Sequence, residues 1–376
     1  MMAPDTEAGV ATAIAAAHAA REPLAIEGRG TKRAMLRPVQ AARTLSTRNL
    51  TGITLYKPSE LVMSARAGTS IPEIEAALAE KGQQIIAEPP DLSALFGASE
   101  AATLGGMVAT NLSGPRRITW GAMRDHVLGI RAVKGDGEVF RSGGRVLKNV
   151  TGLDLCKLLS GSHGTLGVLT EITFKVLPTA EARATLAVRV PDVAACVRVL
   201  SAALGSPYGV SGAALAGGTA FVRIEDFADS VTYRIDRLKA DLAPLGDVSA
   251  HDDAVWHAVR DATLLGAAPE DALWRLSLPP SAAPAACAAL AGFKLLLDWG
   301  GGLVWVAGPA TEAAHNAVVA AAVAGSYTLF RAPDAWRSAV AVVPAEPPAL
   351  AAIAARVKAV LDPGCILNPG RIRAGS

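Results

Sequence analysis

Ala102-Thr103-Leu104-Gly105-Gly106-Met107-Val108-Ala109-Thr110-Asn111 and Gly161-Ser162-His163-Gly164-Thr165-Leu166-Gly167-Val168 decide how this chain is read. In the first stretch Thr103 stands where a helix would be capped, and the first turn behind it is nearly bare of side chains. Orphan backbone N–H groups of such a turn would face outward as an anion site. The second stretch is another bare turn, leading into an alternating strand over 168–176 that Pro178 ends. Glycines also cluster at 28–30 and 364–370. Without a Cβ the backbone can approach a ligand closely, and a concave set of N–H groups suits a diphosphate. Tight turns in an ordinary α/β domain would look the same, so spacing alone leaves both readings open.

Two familiar nucleotide sites are excluded. Gly28-Arg29-Gly30 continues as Thr31-Lys32-Arg33, so the third glycine of a Rossmann fingerprint is missing and no helical pattern opens there. No GxxxxGK[ST] loop occurs either. Two bare turns and a basic nest surrounding a large, flat, anionic cofactor is one reading, and tight turns in an α/β domain is the other.

Around these turns the 376 residues predict two or three domains at about 150 residues each. With 51% hydrophobic and 19% charged residues the chain is no disordered segment. A net charge of +2 and 5% aromatic residues offer nucleic acid neither a field nor a stacking platform. Cys156, Cys196, Cys287 and Cys365 stand far apart with no CxxC, which excludes a zinc ribbon or an iron–sulfur cluster built from this chain alone. Such cysteine usage points to a reducing cytoplasm. Residues 1–20 carry no Lys or Arg, unlike a signal peptide, and the apolar stretch 313–330 reads as a buried helix plus a strand rather than a membrane span.

Strands are predicted over 23–27, 52–56, 61–67 and 83–87. Ser70-Ile71-Pro72-Glu73 is a capping box opening a helix that stops at Gly82. Asp136-Gly137 marks a hairpin between 127–133 and 138–141. From 182 the order becomes strand 183–190, helix 192–204, strands 208–215 and 219–225, helix 230–242, strand 247–250. After a helical stretch over 254–265 a second pass follows: strand 273–278, helix 281–290, strands 294–298 and 303–307, helix 311–324, strand 327–331. Two ferredoxin-like βαββαβ passes side by side make a cap domain. A helix over 349–361 precedes a tail with too little apolar surface to fold alone.

The segment 102–111, Arg124-Asp-His-Val-Leu-Gly129, 154–168 and the tail Ile366-Leu-Asn-Pro-Gly-Arg371 resemble the FAD-binding domain of the vanillyl-alcohol oxidase / p-cresol methylhydroxylase family. Ser113-Gly-Pro-Arg-Arg117, Lys148-Asn-Val-Thr-Gly-Leu-Asp154 and Trp274-Arg-Leu-Ser277 look most like that family's glycolate oxidase E-subunit branch. The resemblance implies an α+β chain: a bipartite FAD-binding domain (1–178), a ferredoxin-like α+β cap (179–345) and a C-terminal return (346–376). It implies that Arg29, Gly30, Thr31 and Lys32 wrap the pyrophosphate. Thr103, Gly105, Gly106, Thr110 and Ser113 would line the diphosphate and ring. Gly161, Gly164, Thr165, Gly167 and Val168 would bring backbone to the cofactor, and Asn368 and Arg371 would close the ring end.

Residues 28–33 contain neither His nor Cys, so the expected FAD is non-covalent. Relatives that oxidise D-2-hydroxy acids carry clustered cap histidines that hold a metal. Here His251 and His257 do not reproduce such a cluster, and no metal is expected. The resemblance therefore implies a subunit of a glycolate-oxidising complex, with a catalytic flavin subunit and an iron–sulfur subunit as partners, no convincing base of its own and no catalytic residue assignable. It would be cytoplasmic, reaching the inner membrane only through its partners. A free-standing flavin oxidoreductase of another small alcohol or 2-hydroxy acid, and a structural subunit with a flavin pocket, are the alternatives. His163 is either a cofactor contact or a loop residue. Arg275, beside Trp274, either binds a carboxylate or is a core-edge arginine stacked on a tryptophan. Arg116 and Arg117 serve an interface, the diphosphate or a solvated turn, and Cys365 reads as ordinary packing.

Overall fold

The computed structural model describes residues 1–144 and 153–375. Part of the 148–154 motif, residues 148–152, therefore lies outside the described residues. The chain divides into two compact units. The first is Met1–Ser113, Ala122–Pro178 and Ala345–Ser376; the second is Gly114–Gly121 and Thr179–Pro344. The short segment Gly114–Gly121 thus groups with the second unit, although its sequence neighbours on both sides belong to the first.

The first unit is built on an antiparallel sheet ordered Ile53–Lys57, Val62–Arg66, Val168–Pro178, Val127–Val133, Val139–Gly143, with Gln83–Ile85 paired to the far end of the long central strand. Alternation along Val168–Pro178 sets Ile172, Phe174 and Val176 wholly inside. They pack with Met63, Ile74 and Leu104 into one apolar core. The helix Ile71–Ala79 begins where expected, with Ser70 Oγ accepting from the Glu73 amide at 3.4 Å.

Beside this sheet lies a parallel pair, Leu24–Glu27 with Arg43–Ser46. The tail extends it. Leu24 N–H donates to Ile366 O at 2.8 Å, and Asn368 N–H donates to Leu24 O at 3.0 Å. Asp362, fully buried, accepts from the Ile366 and Leu367 amides and pairs with Lys358, whose Nζ also donates to Thr165 O at 2.7 Å. Residues 362–371 are thereby fixed by polar contacts where their apolar surface would not suffice.

The second unit is a single eight-stranded antiparallel sheet in which the two expected passes lie side by side. Its order is Asp247–His251, Ala182–Arg189, Thr219–Asp226, Val210–Ala216, then Lys294–Asp298, Leu303–Gly308, Ala272–Ser277, Ser326–Arg331. Each half is one βαββαβ pass, and they meet at one bridge, Leu215 opposite Leu297. Within this unit Glu225 is buried among arginines. Arg116 grips it through two hydrogen bonds, at 2.9 and 2.7 Å, and Arg183 and Arg223 approach it at 3.1 and 3.2 Å. That contact accounts for Arg116, which neither covers a solvated turn nor waits for a phosphate.

Candidate functional site

The loop after Leu24–Glu27 holds a run of unspent donors. The amides of Arg29, Gly30, Thr31 and Lys32 donate no hydrogen bond among the described residues. Gly30 bends the chain at φ 75°, a conformation open to glycine at no steric cost. Glu27 pins the loop from one side through a two-pronged pair with Arg33, and Ser46 Oγ donates to Gly28 O at 2.6 Å. Burial pushes the Lys32 ammonium down to about 8, against the pull of Asp91. Its one hydrogen bond is a long one, 3.4 Å to Thr31 Oγ1. A row of free amides beside a cation has the chemistry to suit an anion.

The helix Leu104–Thr110 plays another part than its sequence predicts. Its first-turn amides are consumed within the protein: Leu104 N–H donates to Thr69 O at 2.9 Å, Gly105 to Ala67 O at 2.8 Å and Gly106 to Thr103 Oγ1 at 3.2 Å. No orphan donors face outward. Gly105 is small because a Cβ there would lie 2.8 Å from the Ala67 Cβ, so it lets helix and strand end touch. Thr110 spends its hydroxyl on Gly106 O at 2.8 Å, and Ser113 Oγ accepts from the Met123 amide at 2.9 Å. Thr103 also abuts Gly28, where any Cβ would collide with its hydroxyl. The cap therefore seats the anion loop as well as the helix. Thr103→Val is expected to cost about 1 kcal/mol, the usual value of an N-cap, measured by urea unfolding of the apoprotein.

The turn 161–167 runs along the end of that helix: Gly161 N–H donates to Val108 O and His163 N–H to Ala109 O. Gly164, at φ 71°, and Gly167 keep their amides free among the described residues. Thr165 uses its hydroxyl on Ser162 O, and the Val168 side chain belongs to the core. Burial, helped by the charge of Arg371, pushes the His163 imidazole down to about 3. It stays neutral near pH 7 and is no proton shuttle there.

Asn368 and Arg371 are staples instead of a lid on the ring. Asn368 Oδ1 accepts from the Ile26 amide at 2.7 Å, and its Nδ2 donates to Ile26 O at 3.2 Å and His163 O at 2.8 Å. Arg371 donates to the carbonyls of Lys32, Arg33 and Arg37 at 2.6, 3.2 and 3.1 Å. One side chain ties the anion loop's strand to the second glycine turn, and the other sets the loop's curvature. Neither role is visible in the sequence, because the partners are backbone groups of distant residues. Among the described residues the first unit thus presents the free amides of residues 29–32 and of Gly164 and Gly167, together with the Lys32 ammonium. That donor set suits a diphosphate-bearing cofactor.

A family model described as an FAD binding domain matches residues 1–143. Over 354 residues the chain is 38% identical to glycolate oxidase subunit GlcE of Escherichia coli (strain K12), covering 94% of this chain and 93% of that one. The chain belongs to the GlcE family. It is also 33% identical over 156 residues to D-lactate dehydrogenase of Archaeoglobus fulgidus, covering 42% of this chain and 33% of the relative. Among solved structures, p-cresol methylhydroxylase superposes with a TM-score of 0.72 at 14% identity, over 99% of this chain and 88% of that one. The 4-ethylphenol oxidase of Gulosibacter chungangensis gives 0.73 at 12%, over 99% and 89%. These two likenesses speak to the fold: the p-cresol methylhydroxylase type of FAD-binding architecture.

In this GlcE-family chain the remaining candidates of the second unit settle as follows. His251 packs its ring against Phe221, with centroids 5.0 Å apart. Among the described residues no group of three or more His, Cys, Asp or Glu is placed to hold a metal ion. Arg275 does stack on tryptophans, but not on its neighbour Trp274, because neighbours along a strand face opposite sides. Trp274 lies among Phe293, His315 and Trp336, while Arg275 faces Trp299, Trp305 and Phe330. Arg117 lies over the Trp299 ring at 4.6 Å. In the first unit, Cys365 is exposed at φ 49°, contrary to the packed position expected for it.

Proposed function

We propose that this chain is the FAD-binding subunit of a glycolate oxidase complex that converts glycolate to glyoxylate. The reading is carried by the identity to Escherichia coli GlcE along nearly the full length of both chains. FAD, when bound, supplies the acceptor for the two electrons released with two protons as glycolate becomes glyoxylate. The chain's own residues hold it: amides 29–32 and Lys32 neutralise the diphosphate, and the Asn368 and Arg371 staples fix the loop that presents them. With neither His nor Cys in 28–33, the FAD dissociates without breaking a covalent bond. The partners are a second, catalytic flavin subunit and an iron–sulfur subunit, since the four cysteines here are spread over the chain and three of them are buried. No helix among the described residues is long and apolar enough to cross a membrane, in keeping with a cytoplasmic subunit that meets the inner membrane through its partners.

The test is an absorption spectrum of the purified chain before and after anaerobic glycolate, alone and with the two partner subunits. A yellow protein that bleaches only in their presence supports the reading. A protein that bleaches alone makes this chain the catalyst. A colourless protein within an active complex overturns the flavin assignment.

A further inference from the structure

The second unit holds a half-buried cation, its Nε fully buried, that no hydrogen bond or ion pair meets among the described residues. Arg275 sits mid-strand in Ala272–Ser277, directly opposite Trp305 in one neighbouring strand and Thr328 in the other. Its guanidinium carbon lies 4.8 Å from the Trp305 ring centroid, 5.5 Å from Phe330 and 5.6 Å from Trp299. Its buried Nε donates to no acceptor, and among the described residues no hydrogen bond or ion pair reaches the group. Aromatic faces attract a guanidinium, by about 0.5–2 kcal/mol each. They leave its N–H donors unmet, however, and buried charges are ordinarily paired. A second guanidinium, Arg117, shares the Trp299 ring at 4.6 Å, so two like charges flank one indole. Burial, the Arg117 charge and a weaker opposing pull from Asp298 leave Arg275 at about 10, still protonated at pH 7.

The wall between the two arginines is held under strain. Trp299 adopts φ 55°, unusual for a bulky residue, and Gly300 and Gly301 follow at 67° and 100°. The Trp299 indole N–H donates to Gly114 O at 3.1 Å, and the Asp298 carboxylate accepts from the Trp299 amide at 2.7 Å. Such backbone strain costs about 1–3 kcal/mol and persists where the surroundings enforce it.

We infer that the second unit contains a binding site for a small monocarboxylate, clamped by the donor edge of Arg275, walled by Trp299, Trp305 and Phe330, and supported by the charge of Arg117. A planar guanidinium fork matches a carboxylate, whereas a tetrahedral phosphate calls for donors on more sides. This deepens the glycolate reading, because glycolate is such an anion, but the binding measurement needs neither flavin nor turnover.

Trp299 and Trp305 flank the site, so tryptophan fluorescence of the full-length protein reports on it. At fixed ionic strength, sodium glycolate and sodium acetate give a saturable change, and ethylene glycol at the same concentrations gives none. Arg275→Lys keeps the charge but loses the fork and weakens binding about tenfold. Arg275→Gln abolishes it, while exposed Arg198→Gln titrates like the natural protein. Circular dichroism melting checks folding, and Arg275→Gln melts no lower than the natural protein because it removes an unpaired charge; should it fail to fold, Arg275→Lys decides. A wild-type titration without saturation, equal affinities in wild type and Arg275→Lys, a response to ethylene glycol, or inorganic phosphate binding more tightly than acetate would each overturn the site. Flavin absorbance of the same sample separates the two readings. A colourless protein that binds carboxylate retires the FAD subunit alone, and a yellow one that gives no titration retires this site alone.

Discussion

Glu225→Gln is expected to destabilise the second unit by about 3–5 kcal/mol at pH 7, the usual penalty for removing one partner of a buried ion pair. For a unit of this size that lowers its melting temperature by roughly 6–20 °C. The carboxylate answers Arg116, whose side chain is 7% exposed, and Arg223, which is 2% exposed, with Arg183 at its edge. Arg223 keeps hydrogen bonds to Ser211 Oγ and Ser211 O and a place over the Trp256 ring at 4.7 Å, but Arg116 loses its two-pronged acceptor. Because Arg116 lies in Gly114–Gly121, the substitution also loosens that segment's attachment to its unit. Burial works to raise the Glu225 carboxyl, yet the Arg116 hydrogen bonds and the charges of Arg223 and Arg116 hold it at about 2, against 4.5 when unfolded. A depressed carboxyl contributes stability above its unfolded value and loses it as pH falls toward the folded one. The melting difference between wild type and Glu225→Gln therefore shrinks as pH drops from 4.5 to about 2. Melting curves that coincide at pH 7 would mean the cluster contributes nothing net.

Lys32→Met is expected to weaken FAD binding about 10- to 100-fold, the value of one charge-assisted hydrogen bond to a phosphate. The pH dependence separates this from a steric effect. The apoprotein's Lys32 loses its proton near 8, whereas a bound diphosphate would hold that proton to higher pH. Affinity therefore falls as pH rises above about 8 in the natural protein and stays flat in Lys32→Met. Stability moves the other way. A lysine depressed from 10.5 to about 8 burdens the folded apoprotein below pH 8, and the burden lifts as pH climbs toward 10.5. Apo Lys32→Met thus melts higher than wild type at pH 7 while binding FAD worse. Titration of apoprotein with FAD from pH 6 to 10, with parallel melting curves, measures both. Equal FAD affinities at pH 7 would remove Lys32 from the site.

Local signals were legible in the sequence where they rest on nearest neighbours. Asp136-Gly137 turns the hairpin, Ser70 caps its helix, and both βαββαβ passes appear in order. The helix Glu7–Ala20 escaped notice because only Val10, Ile14 and Ala17 are buried in a run of alanines, leaving little contrast between its faces. The site was misread where partners come from afar. Nothing local to Leu104-Gly105-Gly106 announces that Thr69 and Ala67 take its amides. Nothing near Ile26 announces Asn368, which lies 342 positions away. Arg275 was noticed, but its setting depends on cross-strand register and on a strained tryptophan 24 positions further on, which alternation along one strand cannot reveal.

The staples from Asn368 and Arg371 make the loop over 29–32 depend on a remote part of its own unit, since Asn368 reaches Ile26 across 342 positions and Arg371 reaches Lys32 across 339. Contacts so far apart in sequence carry a large loop-closure cost before they contribute anything. The loop therefore takes its final curvature only once residues 362–371 have docked, and local unfolding of that segment would slacken it.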